Sequence, residues 1–338
     1  MSNISRYYDM INKALDTFLN RQLAEPTIKT YYSMIKDYTM MGGKRLRPIA
    51  LILSYLDCGG KDEKKILLPA IAVELHQSYT LILDDIMDED DFRRGQPGIN
   101  KKLRDFFLSN FKEEEYKGTL FNKKSSRFTV STALMLGNIC NILSKKAILD
   151  SDFDNDVKIK ALKVIEDADE KICQGQMLDI LMEHKAATEI EYFDMIKNKT
   201  AEFFGMCFEL GAVFAGADDK RHMYKQVGIN SAIAFQIQDD IIDVLGNKGH
   251  EFGSDIKKGK KTLLMIKTLE KANDDQKRFI MKIIGKAASD EDIKKVVKIM
   301  HDTGAINYCR RLIKQYSEKA KESGILRELV DVMINRDS

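Results

Sequence analysis

The stretch LLPAIAVELHQSYTLILDDIMD, residues 67–88, decides the fold. Its apolar residues cover most sides of a helix, not a single stripe. A helix of that kind has to be buried within a large bundle. VSTALMLGNICNILSKKAIL (130–149) and SAIAFQIQDDIIDVLG (231–246) read the same way. The four prolines stand at 26, 48, 69 and 97, and none occurs in the following 241 residues. Proline inside a helix costs about 3 kcal/mol, so that long gap favours helices. Alternating strand patterns are hard to find. The pattern predicts an all-α protein of about a dozen helices, with no fixed repeat and no linker that marks a domain boundary. The expectation is one domain over residues 1–338. GGKRLRP (Gly42–Pro48), residues 110–127 and GNKGHEFGSDIKKGKK (Gly246–Lys261) read as loops.

Composition narrows the class. Hydrophobic residues make up 44% of the 338, enough for a large core. Charged residues are abundant, yet 54 cations against 52 acids leave a net charge of only +2, which gives no reason to expect nucleic acid as a partner. No run of eighteen apolar residues exists, so no transmembrane helix is expected. Cysteines 58, 140, 173, 207 and 309 form no CxxC pair, and an odd count makes a poor disulfide framework. The opening MSNISRYYDM lacks a signal-peptide pattern. A reducing, cytoplasmic compartment is expected.

The end of the first stretch carries the chemistry. Asp84 to Asp91 holds six carboxylates in eight residues, followed by Arg93 and Arg94. Carboxylates this close repel and raise one another's pKa, so something positive should offset them. Asp84 and Asp88 are four apart and share a helix face, while Asp85 points about 100° away. Asp239, Asp240 and Asp243 repeat the arrangement 155 residues later. One DDxxD in a chain with 52 acids is unremarkable, and a lone acidic helix end is usually a solvated surface. Two such motifs, each closing a strongly apolar helix, are harder to dismiss. Oxygen ligands without His or Cys suit Mg²⁺, and a di-iron bundle would need Glu-x-x-His pairs that are absent here. Magnesium held by a few carboxylates takes other ligands from substrate phosphates. A phosphorylated substrate between the two motifs follows. Cations that fit it are Lys44, Arg45 and Arg47 in GGKRLRP, Arg93 and Arg94, Lys199, and Lys257, Lys258, Lys260 and Lys261. Each basic segment alone means little; helix-end lysines often only answer the dipole.

The set GGKRLRP, ELHQSYTLILDDIMDEDDFRRGQP, CQGQMLD, NKTA, FQIQDDIID and GSDIKKGKKT, in this order from about residue 40 to 265, resembles the trans-isoprenyl diphosphate synthases, the polyprenyl synthase family. The resemblance implies a large helical bundle around a central cavity, usually as a homodimer. It implies a reaction in which an allylic diphosphate ionises and the cation is attacked by isopentenyl diphosphate, head to tail. By the same resemblance the metal set is Asp84, Asp85, Asp88, Asp239 and Asp243, the last acting through water, with three Mg²⁺ ions per active site. Arg93, Lys199 and Lys260 would grip the allylic diphosphate. Lys44, Arg47, Gln77 and Arg94 would hold isopentenyl diphosphate. Thr200, Gln236 and the Lys199 carbonyl would face the developing cation, and released diphosphate would take the last proton. Gln176 and Asp179 would line the cavity.

Product length in this family is measured just upstream of the first motif. Tyr79 is five residues before Asp84, about 7.5 Å deeper along a helix, and small Thr80 shares the face of Asp84. An aromatic at the fifth position alone resembles the archaeal geranylgeranyl diphosphate synthases, so the twenty-carbon product is expected; farnesyl diphosphate or a mixture comes next. Tyr79 as a plain core aromatic is the bland alternative. The chain departs from the family at Leu83, where many members have His, at GQPGIN, at Asn138, in an apparent insertion at 110–127, and at Lys248 and His250 around the usual phosphate-binding lysine. A terpene cyclase would share the fold and the first motif but would replace the second DDxxD and lack a need for GGKRLR. A non-catalytic subunit would have lost acidic or basic positions that this chain keeps.

Overall fold

The computed structural model describes residues 3–24, 26–245, 252–286, 288–320 and 326–334. The chain forms two compact units, Met1–Ile52 with Gly60–Leu162, and Leu53–Gly59 with Lys163–Ser338.

The first unit contains α1 (Asn3–Arg21), α2 (Lys29–Met40), the start of α3 (Leu46–Asp57), α4 (Leu67–Met87), α5 (Ile99–Asn110), α6 (Lys124–Leu149) and the start of α7 (Asn155–Glu183). α4 is the helix of the opening stretch. Every residue from Pro69 to Ser78 is buried, so nearly three turns are covered on all sides. Pro69 sits in the first turn, where the missing N–H breaks no helical bond. The main packing partner of α4 is α6. Gly137 on α6 allows this: a Cβ there would lie 3.3 Å from Leu83.

The second unit contains the rest of α7, then α8 (Glu189–Ile196), a π-helical turn (Lys197–Ala201), α9 (Glu202–Phe214), α10 (Arg221–Leu245), α11 (Ser254–Lys258), α12 (Leu263–Lys271), α13 (Asp274–Ile283), α14 (Asp290–Asp302), α15 (Ala305–Ala320) and α16 (Leu326–Ile334). All thirteen residues of α9 are buried. α10 packs mainly against α9 and α15. Gly205 and Gly228 bring α9 and α10 together: a Cβ on Gly228 would lie 2.7 Å from the Phe204 carbonyl oxygen and 2.8 Å from Gly205 Cα.

The all-α expectation holds, with two differences. The described residues form sixteen α-helices where about a dozen were expected. The excess comes from short C-terminal helices, too brief for periodicity to show, three of them started by a side-chain cap. Thr262 caps α12, Asn273 and Gln276 box α13, and Ser289 caps α14. The second difference is a hairpin, β1 (Phe92–Arg93) paired with β2 (Gln96–Pro97). Its two-residue loop, Arg94–Gly95, has φ of 52° and 72°, the positive pair that tight hairpins require. Of the expected loops, 42–48 shortens because α3 begins at Leu46. The 110–127 segment keeps a loop only to Lys123, closed by a bridge between Glu115 and Lys123. Among the described residues no helix is long and apolar enough to cross a membrane.

Gly228→Ala should destabilise the protein by about 1–3 kcal/mol, because the methyl group meets backbone that cannot move aside. Urea unfolding of the variant against the parent chain measures it.

Candidate active site

In the first unit the acidic motif closes α4. Asp84 and Asp88 lie one turn apart, Asp84 half-buried and Asp88 exposed. Asp85 turns inward and is 1% exposed. Its Oδ1 accepts a 2.6 Å hydrogen bond from Arg93 Nε, and its Oδ2 a 2.7 Å bond from the Tyr38 hydroxyl on α2. Asn100 on α5 donates to the backbone oxygens of Asp85 (2.6 Å) and Asp90 (3.1 Å), which fixes the chain after the helix. Arg93 also reaches Asp84 Oδ2 at 3.5 Å. This is the offset that the carboxylate cluster demanded. Burial still pushes the Asp85 carboxyl above its ordinary range, against the opposing pull of Arg93 and Tyr38. With both Asp85 oxygens committed, the remaining i, i+4 pair of this motif is Asp84 and Asp88.

The hairpin sends its two arginines to different places. Arg93 goes to the aspartates. Arg94 donates through Nη1 to the Gly42 carbonyl and lies over Gly43, where a Cβ would sit 2.6 Å from Nη2. Gly42 and Gly43 have φ of 99° and 106°. The doubled glycine is therefore needed for both backbone conformation and room. Of the three cations in GGKRLRP, Arg45 is internal: 3% exposed, paired with Glu74, and donating to the Thr39 carbonyl (2.9 Å) and Asn12 Oδ1 (3.0 Å). Lys44 is exposed and Arg47 half-buried. A cleft of about 260 Å³, counting space open to solvent, is lined by Gln77, Ser78, Leu81, Arg93 and Arg94 among others. Gln77 Oε1 is buried without a hydrogen-bond partner there, an unmet demand that a polar ligand would satisfy. Tyr79 packs edge-on against His76, ring centroids 5.5 Å apart, and Thr80 Oγ1 turns back to the Gln77 carbonyl at 3.0 Å.

The second unit brings together Lys199, Thr200, Gln236 and the second acidic motif. Lys199 and Thr200 occupy the π turn between α8 and α9, a distortion that exposes backbone carbonyls and recurs at functional sites. Gly175 on α7 packs directly on that turn; a Cβ would lie 2.7 Å from Lys199 Cα. Lys199 Nζ pairs with Asp179 at 2.6 Å. Thr200 Oγ1 donates to Gln236 Oε1 at 3.3 Å. Gln236 Nε2 donates to Asp240 Oδ1 at 3.1 Å, and the Tyr192 hydroxyl donates to Asp240 Oδ2 at 2.6 Å. Burial, then the charge of Asp255, pushes the Asp240 carboxyl up to about 7, with Tyr192 and Gln236 opposing. Asp239 is half-buried. Asp243 is nearly buried and accepts from the Asp255 backbone N–H at 2.9 Å, tying α10 to the start of α11. Lys260 lies 3.6 Å from Asp255, just past the left-handed Gly259. Lys248 and His250 lie outside the described residues.

Among the described residues no three or more His, Cys, Asp or Glu side chains converge on one point. The donors still fit magnesium: each motif offers a carboxylate pair one turn apart, with no softer ligand beside it, and Mg²⁺ characteristically leaves most positions to water and substrate phosphate.

The sequence assigned no role to Tyr38, Glu74, Asn100 or Tyr192; Glu74 and Asn100 stand within quoted segments, while Tyr38 and Tyr192 come from distant chain segments and belong to no local pattern. Gly175 did leave a signal, since a glycine inside a long helix costs about 1 kcal/mol unless its lack of a side chain is needed.

The family profile described as Polyprenyl synthetase matches residues 28–300. A geranylgeranyl pyrophosphate synthase of Geoglobus acetivorans is 31% identical over 97% of this chain and 96% of its own. A geranylfarnesyl diphosphate synthase of Aeropyrum pernix is 32% identical over 83% and 82%. In fold, the chain is similar to a geranylgeranyl pyrophosphate synthase of Corynebacterium glutamicum solved with isoprenyl diphosphate and magnesium. That likeness has a TM-score of 0.88 over 99% of each chain at 24% identity.

Glu74→Ala strands the Arg45 guanidinium in the interior and should cost about 3–5 kcal/mol, read as a lowered urea midpoint. Removing exposed Lys44 should leave that midpoint unchanged.

Proposed function

We propose, from the premise that the chain belongs to the polyprenyl synthetase family and is a prenyltransferase, that it extends allylic diphosphates with isopentenyl diphosphate to geranylgeranyl diphosphate. The observation that carries the product length is on α4: Tyr79 packed on His76, one position deeper than small Thr80 on the face of Asp84. An aromatic at the fifth position alone resembles the archaeal geranylgeranyl diphosphate synthases, and that resemblance supports the twenty-carbon product.

The family is magnesium-dependent. Magnesium, three ions in this reading, would when bound supply charge stabilisation for the departing diphosphate. Asp84 and Asp88 would hold it from the first motif, and Asp239 from the second, with Asp243 through water; Asp85, with both oxygens taken, orients Arg93. Arg93, Lys199 and Lys260 hold the allylic diphosphate by charge-assisted hydrogen bonds. For Lys199 this means exchanging Asp179 for phosphate oxygen. Lys44, Arg47, Gln77 and Arg94 hold isopentenyl diphosphate, which the arginine-lined cleft supports. The Lys199 carbonyl, Thr200 and Gln236 set oxygen dipoles toward the carbon that becomes positive. The diphosphate that leaves is the base for the final proton. The whole chain acts as one catalytic domain, and its scattered thiols suit the cytoplasm.

The enzyme works as a homodimer in this reading. Met135, Ile142 and Leu149 recur every seven residues on α6 and are each about half exposed, an apolar seam that a second copy would cover. Met135→Glu with Ile142→Glu should convert a dimer to a monomer in sedimentation. A parent chain that sediments as a monomer overturns this assignment.

Product analysis tests the function. Purified protein, Mg²⁺, labelled isopentenyl diphosphate and dimethylallyl, geranyl or farnesyl diphosphate should give a twenty-carbon alcohol after dephosphorylation. A fifteen-carbon alcohol, or one longer than twenty carbons, overturns the Tyr79 floor and leaves the activity. Asp84→Ala or Asp239→Ala should lower turnover by about 10²-fold or more with the fold intact, and Tyr79→Ala should lengthen the product.

A further inference from the structure

The side-chain amide of Gln236 is nearly symmetric in shape and opposite in polarity at its two ends. Turning it by 180° exchanges a carbonyl oxygen for an NH₂ group. At this position the exchange matters, because the end that does not face Asp240 faces Thr200. Nothing in Gln236 itself selects one orientation. The selection comes from a chain of three hydrogen bonds across α8, α10 and the π turn. Tyr192 donates to Asp240 Oδ2 at 2.6 Å, Gln236 Nε2 donates to Asp240 Oδ1 at 3.1 Å, and Thr200 Oγ1 donates to Gln236 Oε1 at 3.3 Å. Tyr192 is 1% exposed and Asp240 5%, so water does not compete for either.

An ionised carboxylate only accepts hydrogen bonds. Its neighbour must therefore present NH₂, which leaves the Gln236 oxygen toward Thr200. The Thr200 hydroxyl then spends its proton on Gln236, and the lone pairs of its oxygen remain for whatever lies beyond. A flipped amide would invert both groups: NH₂ would face Thr200, and the hydroxyl proton would swing outward. Two oxygen dipoles suited to a developing cation would become two positive ends.

We infer that Asp240, held in place by Tyr192, is a positioning residue that fixes the Gln236 amide, and through it the Thr200 hydroxyl, with their oxygens toward the reacting carbon. This rests on the prenyl-transfer reading above and adds a role for the second aspartate of the DDxxD motif distinct from metal binding. Tyr192, on another helix, holds the Asp240 carboxylate in place.

Asp240→Asn is the informative variant, because Tyr192 continues to donate to the Asn oxygen. The Asn NH₂ then faces Gln236 and forces the flip. Assayed in mildly alkaline buffer with geranyl diphosphate, kcat should fall about 10²-fold, while KM for both substrates stays within about threefold. Calorimetric binding of inorganic diphosphate with Mg²⁺ should be unchanged. Adding Tyr192→Phe to Asp240→Asn frees the Asn amide to turn its oxygen to Gln236. The double variant should therefore be faster than Asp240→Asn alone, by about tenfold, although it has lost one more hydrogen bond. A metal-binding role for Asp240 predicts weaker Mg²⁺-diphosphate binding and no rescue, and that result overturns the inference. So does an Asp240→Asn enzyme with parental kcat. If Asp240→Asn does not fold, Tyr192→Phe alone decides: kcat lowered severalfold with unchanged KM supports the inference, and unchanged kcat overturns it. A parent chain with no elongation at all overturns the prenyl-transfer reading instead.

Discussion

Two aspartates side by side at the end of an apolar helix repel each other, and both motifs resolve this in one way. The second carboxylate turns inward and is bound by a tyrosine from another helix, Tyr38 for Asp85 and Tyr192 for Asp240. A buried carboxylate is tolerable only when its oxygens are answered, so each inward aspartate fixes the rotation of its helix about the axis. That rotation then places the first and fifth residues of the motif on a different face. The placement of these carboxylate pairs depends on the inward aspartates.

The two anchors differ in their second partner, and the difference follows their surroundings. Asp85 has a guanidinium, which also reaches Asp84, so the first motif carries its own counter-charge. Among the described residues the donors to Asp240 are neutral, Tyr192 and Gln236, and the charge of Asp255 pushes against it. Its carboxyl is consequently the one held near 7. Near it, exposed Lys260 lies 3.6 Å from Asp255.

Backbone positions are set by glycines where side chains would intrude. Gly43 admits the Arg94 guanidinium, Gly175 lets α7 reach the π turn, and Gly205 with Gly228 closes α9 on α10. In each case a functional group stands on backbone that has approached something closely. The hairpin at Arg94–Gly95 belongs with them, since its positive φ pair sends adjacent arginines to separate partners.

Read alone, the chain determined its fold class and its family. All-round apolar helices, a proline-free span of 241 residues and two DDxxD motifs are local or periodic signals, and they survive without coordinates. Tertiary structure decided which like residues do unlike things. In GGKRLRP nothing in composition separates Arg45 from its neighbours, yet Arg45 is internal with Glu74 while Lys44 is exposed. In both acidic motifs the spacing showed that the second aspartate points elsewhere, but not at what. Its partners, Tyr38, Tyr192 and the hairpin arginine, are set by packing between helices far apart in the chain. Periodicity reports the face on which a side chain lies; only the neighbouring helix determines whether that face meets water, a counter-charge or a hydroxyl.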